Sequence, residues 1–167
     1  MRNILIIGAG RSSSSLIKYL LDKSSEENLQ LTVGDISIED INQRFGKHQN
    51  LTTFQLDVFN ETERVKAIQE ADIIISMLPA RFHIEVAKDC IKFQKNMVTA
   101  SYISDEMKDL DADVKKNNLI FMNEIGVDPG IDHMSAMHVI DRIHQKGGKM
   151  LLFESFTGGL VAPESDT

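Results

Sequence analysis

The sequence predicts an α/β fold, a doubly wound parallel sheet with helices on both faces, and three observations carry that expectation. An unbroken apolar run, Ile4, Leu5, Ile6 and Ile7, ends in Gly8-Ala9-Gly10. With no polar alternation it reads as a strand buried on both faces, which is how a parallel sheet reads. Strand-like and helix-like segments then alternate along nearly the whole chain. Finally, an acidic residue, Asp35, closes the second strand.

Composition sets the frame. The 167 residues are 42% hydrophobic with no Trp, enough for one domain or one domain plus part of a second. A net charge of −7 without a Lys/Arg cluster argues against nucleic acid and against an anionic membrane surface. Cys90 is the single cysteine, so no internal disulfide forms and a reducing compartment suits the chain. No apolar h-region with a cleavage site follows Met1, and no run is long enough to span a bilayer. The expectation is a soluble, cytoplasmic protein.

Past the glycines, Leu16, Ile17, Leu20 and Leu21 recur at helical spacing, so the turn delivers the chain from a central strand into a helix. Strand, glycine turn and helix together form an anion site. The missing Cβ of Gly10 lets the backbone approach a pyrophosphate, which faces the free N–H groups of the helix start. The third fingerprint position holds Ser13 in place of glycine, small enough to keep the helix against the strand. Gly8, Gly10, Arg11, Ser12 and Ser13 are therefore candidate cofactor contacts. The alternative is a glycine turn with no ligand.

The second strand, 29–34, ends at Asp35, where a dinucleotide-binding (Rossmann) fold places the carboxylate that accepts from the adenosine ribose. A helix cap or a solvated loop carboxylate is the alternative. Ser37 is expected to cap a helix carrying Ile38, Ile41 and Phe45, closed by Gly46. The third strand, 51–56, ends in Asp57-Val58, and Asp57 is equally a partner for the adenine amino group or a loop carboxylate. Asn60 and Glu63 resemble a capping box ahead of a helix with Val65 and Ile68 inward.

The fourth strand, 71–77, stops at Leu78-Pro79, since proline cannot extend a central strand. Ser76, Leu78 and Pro79 are thereby expected at the carboxyl edge, near the nicotinamide side. The next helix turns Ile84, Ala87 and Ile91 inward, with Cys90 packed beside them. A fifth strand, 97–100, runs into Ser101-Tyr102-Ile103, and Ser104 opens a helix with Met107, Leu110 and Val114. A sixth strand, 119–122, ends at Asn123-Glu124. Doubly wound sheets bind ligands outside the carboxyl ends of their strands, and nearly every unusual residue falls there. A last helix begins at Ile131. His133 and His138 are five apart and share no face, so no metal site is expected.

The run from Asn123 to Met134, Asn-Glu-Ile-Gly-Val-Asp-Pro-Gly-Ile-Asp-His-Met, resembles the signature of the saccharopine dehydrogenase family, in particular its glutamate-forming reductases of lysine metabolism. Ser101-Tyr102-Ile103-Ser104 and Gly158-Gly159-Leu160-Val161-Ala162-Pro163-Glu164 match in register with it. The resemblance implies reduction of an imine between an amino acid and a semialdehyde, or oxidation of the corresponding secondary amine. By position it makes Tyr102 and Asp128 catalytic candidates lining the substrate pocket. Thr157 stands where the family has cysteine, which leaves the substrate open.

The resemblance also implies a division into a dinucleotide domain, 1–148, and the start of a truncated second domain, 149–167. The chain is then expected to be the amino-terminal part of a longer enzyme, binding nucleotide and an amino-acid substrate only within the whole. On that reading it turns nothing over by itself. A strand at 150–156, with Leu151, Leu152, Phe153 and Phe156, is expected to pair across a dimer, making the protein a homo-oligomer, or to be disordered. A non-catalytic nucleotide-sensing domain and a dehydrogenase of a carboxylated polyamine are the other readings; the sensor would not need Asp128-Pro129-Gly130. For the cofactor, Asp35 followed by Ile36 and Ser37 places negative charge and no cation where a 2′-phosphate would lie. NAD is therefore expected over NADP, although members of the family use NADPH and Arg11 is near enough to turn toward a 2′-phosphate.

Overall fold

The computed structural model of the chain describes residues 1–156 and 158. Thr157 and the glycine-rich motif from Gly159 onward lie outside the described residues. Six parallel strands form one sheet in the order β3-β2-β1-β4-β5-β6. They are β1 (Arg2–Ile7), β2 (Leu29–Asp35), β3 (Leu51–Gln55), β4 (Ile73–Ser76), β5 (Asn96–Thr99) and β6 (Phe121–Met122). The order reverses between β1 and β4, and Ile7 pairs with Gly34 on one side and Ser76 on the other. The glycine turn therefore leaves the sheet at the switch point, where such sheets open a crevice.

The apolar run of β1 serves two cores at once. Ile4 and Ile6 join Ile17 and Leu21 of α1 (Ser14–Lys23), Leu31 and Val33 of β2, and Ile41 of α2 (Glu39–Phe45). Leu5 and Ile7 point the other way, to Ile68 of α3 (Glu61–Gln69), Ile74, and Val86 and Cys90 of α4 (His83–Lys92). Side-chain alternation along a strand thus requires apolar residues at every position, and each fully buried one contributes on the order of 1.5 to 3 kcal/mol.

Several local expectations change. The helix expected from Ser104 through Val114 divides into α5 (Asp105–Asp109) and α6 (Asp111–Lys116). The Leu110 N–H bonds the carbonyl of Met107 in a tighter i→i−3 closure, and Asp111 and Asp113 start a fresh first turn. Ser104 caps α5, its Oγ accepting from the Met107 N–H at 3.2 Å. Asn60 caps α3 by accepting from the Glu63 N–H at 3.4 Å. Ser37 does not cap α2. Ile38 occupies that position, and the Ser37 hydroxyl donates to Glu39 Oε2 at 2.7 Å.

The chain divides into two compact units, Met1–Ile131 and Asp132–Thr167. In the second, α7 (Ile131–Gln145) ends where Gly147, at φ +76°, donates to the carbonyl of His144 and Gly148 to that of Ile143. The strand expected at 150–156 does not form. Among the described residues no neighbouring strand completes a ladder for it, and Leu151 and Phe156 are 88% and 89% exposed.

One buried ion pair crosses the α3–α4 layer. Arg64 Nε donates to Asp89 Oδ2 at 2.7 Å, and Arg64 also donates to the Val58 carbonyl in the loop after β3. Removing one partner leaves an uncompensated buried charge. Arg64→Ala is expected to lower stability by about 3 kcal/mol in urea unfolding, with Arg64→Met/Asp89→Leu recovering much of that loss. A loss below about 1 kcal/mol would place the pair among surface-type bridges and contradict its structural role.

Candidate dinucleotide site

The two glycines of the first turn do different work. Gly8 sits at φ +97°, and a Cβ there would come within 2.9 Å of the Met77 backbone at the end of β4. The turn can pack against its neighbour only without a side chain. Gly10 has an ordinary φ of −60°, and nothing lies within 4 Å of the place a Cβ would take. Its missing side chain leaves open space. Ser13 is fully buried, and its Oγ donates to the Gly10 carbonyl at 2.7 Å, so it fastens the turn instead of facing a ligand. Arg11 and Ser12 are exposed, in a short 3-10 turn, Arg11–Ser13, that leads directly into α1.

Asp35 braces this turn from the end of β2. Its Oδ2 accepts from the Ala9 N–H at 2.6 Å and its Oδ1 from the Ser37 N–H at 3.0 Å. Both oxygens are held by backbone donors, so the carboxylate is aimed at the turn. Gly8, Gly10, Asp35 and Ile36 form one wall of a cleft of about 550 Å³, a volume suited to a small-molecule ligand. Asp57, Leu78 and Pro79 line it as well. Asp57 Oδ1 accepts from the Phe59 N–H at 2.9 Å, which closes the loop after β3.

Sequence reasoning missed two aromatic residues of this cleft. Phe59 and Phe82 pack edge to face, with ring centroids 4.9 Å apart, and the Arg81 guanidinium lies 4.5 Å from the centroid of Phe82. Their only signal was position, each just past a strand end at the predicted carboxyl edge.

Ser76 is not at the cleft. It is fully buried, with its Oγ 2.8 Å from His83 Nδ1. The other ring nitrogen of His83, Nε2, lies 2.8 Å from Ser101 Oγ and 3.2 Å from Thr99 Oγ1. The alternation of β4 turns Ser76 toward the start of α4, away from Leu78 and Pro79. His83, only 3% exposed, thereby ties the ends of β4 and β5 to α4, and burial pushes its imidazole below the ordinary value. A single histidine at a helix start carried no sequence signal. Cys90, also buried, has its thiol pushed up to about 12, mainly by burial, so it is packing and not a nucleophile.

Tyr102 and Asp128 come together, with the Tyr102 hydroxyl donating to Asp128 Oδ1 at 2.8 Å. Their two segments are laced to each other. Glu124 donates its N–H to the Ser101 carbonyl at 3.1 Å and accepts from the Ile103 N–H at 3.1 Å. The loop holding Asp128 closes through the Gly126 N–H on the Pro129 carbonyl at 2.8 Å, and Gly130, at φ +146°, approaches Gly126 so closely that any Cβ would collide. A second cleft of about 310 Å³ is lined by Arg81, His83, Tyr102 and Asn123. The turn Ala80–Phe82 stands between the two, giving Phe82 to one and Arg81 to the other. Among the described residues no group of three His, Cys, Asp or Glu side chains could hold a metal ion.

A parallel sheet with an open glycine turn at its switch point and an apolar cleft beside it defines a dinucleotide-binding domain. Residues 4–122 match the family model of the saccharopine dehydrogenase NADP binding domain, and residues 126–167 that of the saccharopine dehydrogenase C-terminal domain. The chain belongs to the saccharopine dehydrogenase family. It is 35% identical over 163 residues to the saccharopine dehydrogenase (NADP(+), L-glutamate-forming) of Saccharomyces cerevisiae, covering 98% of this chain and 36% of that protein. It is 36% identical over 164 residues to the mitochondrial alpha-aminoadipic semialdehyde synthase of Bos taurus, covering 98% of this chain and 17% of the relative. The solved apo saccharopine dehydrogenase (L-Glu forming) of Saccharomyces cerevisiae superposes with a TM-score of 0.77 at 31% identity, over 88% of this chain and 32% of that one. The chain thus spans about a third of the fungal relative's length and a sixth of the bovine one's.

These matches overturn the expectation of NAD. The matching domain family is NADP-binding, and the fungal relatives are named for NADP(+). The expectation rested on Asp35 as a ribose-binding carboxylate set against a 2′-phosphate, whereas in the structure its two oxygens accept from the Ala9 and Ser37 N–H groups and brace the turn.

His83 gives the site a pH dependence. Its folded value lies below the unfolded one of about 6.5, so the folded state resists protonation, and its contribution is complete above that pH and lost as pH falls. The carboxyls of Glu39 and Glu106 are held low by their hydrogen bonds to Ser37 and to backbone, respectively, and act below this window. Urea midpoints are expected to drop between pH 7 and pH 5, and less so in His83→Gln. A flat wild-type profile over that range would contradict the neutral, buried imidazole.

Proposed function

We propose that this chain carries the cofactor-binding part of an NADP-dependent oxidoreductase that acts on a secondary amine or imine of amino acids, of the saccharopine type in lysine metabolism. One juxtaposition supports it most: the open Gly10 cleft and the Tyr102–Asp128 pair occupy the same carboxyl edge of one sheet, in a chain of this family.

The backbone N–H groups after Gly10 and the start of α1 bind the pyrophosphate. Ile36, Phe59 and Phe82 supply apolar walls for the adenine, with Asp57 at its polar edge. The bound cofactor supplies the hydride acceptor or donor. Tyr102, whose hydroxyl donates to Asp128, moves the proton of the substrate nitrogen, and the carboxylate orients it. Arg81, in the neighbouring cleft, offers a cation to a substrate carboxylate.

Titration with NADPH tests the cofactor assignment, and Gly10→Val sharpens it. Because nothing lies within 4 Å of the new side chain, the thermal midpoint is expected to hold while NADPH affinity falls by roughly tenfold or more. Wild-type affinity retained by Gly10→Val would refute this use of the cleft. For the reaction, NADPH formation from saccharopine and NADP+ by the protein containing this chain is expected to be lost in Tyr102→Phe with NADPH binding intact. Undiminished turnover would remove Tyr102 from the chemistry.

A further inference from the structure

If the cofactor is NADP, as proposed above, its 2′-phosphate needs a cation that the end of β2 does not provide. The residues there are Asp35, Ile36, Ser37, Ile38 and Glu39, without a Lys or Arg. We propose that Arg11 is the residue that reads the 2′-phosphate, with Arg44 as a second guanidinium behind it.

Three observations lead to that assignment. Arg11 follows Gly10 at the mouth of the cleft and is exposed, and among the described residues its side chain has no hydrogen bond or ion pair. Arg2, Arg44 and Arg64, by contrast, each hold a carboxylate. Second, the acidic group that closes β2 is turned onto backbone, and the cleft's other carboxylate, Asp57, lies in the loop after β3. Asp35 is held by the N–H groups of Ala9 and Ser37, so its carboxylate is fixed against the turn and a 2′-phosphate needs a cation beside it. Third, Arg44 reaches from the last turn of α2 to donate to Ser14 Oγ, three residues past Arg11. That brings a second cation to the first residue of α1, even though its Nη2 lies 3.3 Å from Asp40.

A guanidinium matches phosphate because two of its N–H groups meet two oxygens in one plane. Arg11 can adopt that geometry without breaking an existing bond. Arg44 must share its charge with Asp40, so its contribution is the smaller. Ser37, next to the brace, adds a hydroxyl that currently donates to Glu39 Oε2 at 2.7 Å. The carboxylates of Glu39 and Asp40 keep the surrounding field from being strongly positive. Selectivity for NADPH therefore depends on one well-placed side chain.

The test is the ratio of NADPH to NADH affinity, measured by calorimetry on the full chain for wild type, Arg11→Met, Arg11→Lys and Arg44→Met. Arg11→Met is expected to weaken NADPH by roughly tenfold and to leave NADH within about twofold. Arg11→Lys should restore part of the ratio, and Arg44→Met should lower it less than Arg11→Met does. In wild type the NADPH affinity should also fall more steeply with salt than the NADH affinity. An unchanged ratio in Arg11→Met, or an equal loss for both cofactors, overturns the assignment, the second outcome placing Arg11 on the pyrophosphate instead. A wild-type chain that does not prefer NADPH at all would instead sink the underlying cofactor reading. A ratio that survives only in Arg11→Lys, with both variants folded by circular dichroism, supports the assignment.

Discussion

The cofactor cleft depends on how closely the first turn is gripped by its two neighbouring strands. On one side Gly8 lies against the Met77 backbone with no room for a Cβ; on the other the Ala9 N–H is held at 2.6 Å by Asp35. Between these grips the chain has little freedom, and the N–H groups after Gly10 are presented before any ligand arrives. Preorganised donors of this kind bind an anion without first ordering a loop. The buried Ser13 hydroxyl on the Gly10 carbonyl and the parallel pairing of β1 with β2 and β4 serve the same constraint.

The same logic extends along the carboxyl edge. His83 joins the ends of β4 and β5 to α4 through three hydroxyl contacts, and Glu124 laces the segment after β6 to the segment after β5. Arg64 holds the carbonyl of Val58, in the loop that also carries Asp57 and Phe59. Each of these groups lies one step behind the cleft, fixing the backbone from which the lining side chains project. The edge is therefore irregular in backbone but well connected by hydrogen bonds, and the buried imidazole of His83 has both ring nitrogens engaged.

What the sequence revealed follows from the physics that writes it. The strands, the helices and the doubly wound alternation come from apolar periodicity, which is local, so Ile4 to Ile7 announced a central strand, while the order of the strands in the sheet came only with the structure. Gly8 and Gly10 announced a turn because only particular backbone geometries need glycine. The aim of a side chain is not local. Asp35 and Ser76 were placed at the right strand ends, yet one is turned onto backbone and the other buried against His83, both through partners distant in sequence. Phe59, Phe82 and His83 were invisible for the same reason, since ordinary residue types become a cleft wall or a polar clasp only after folding. The preference for NAD failed at that point: a carboxylate can be read from a sequence, but its hydrogen-bond partners cannot.

On the proposed function, the dinucleotide lies across the carboxyl edge at the switch point. Backbone amide shifts of the isotopically labelled chain on addition of NADPH test it most directly. The largest changes are expected at Ala9, Gly10 and Arg11, at Ile36, at Phe59 and at Leu78, with little effect on Asn3, Thr52 and Lys66, which line a separate groove of about 480 Å³. Changes concentrated on that groove, or an amide map that NADPH leaves unmoved, would contradict it.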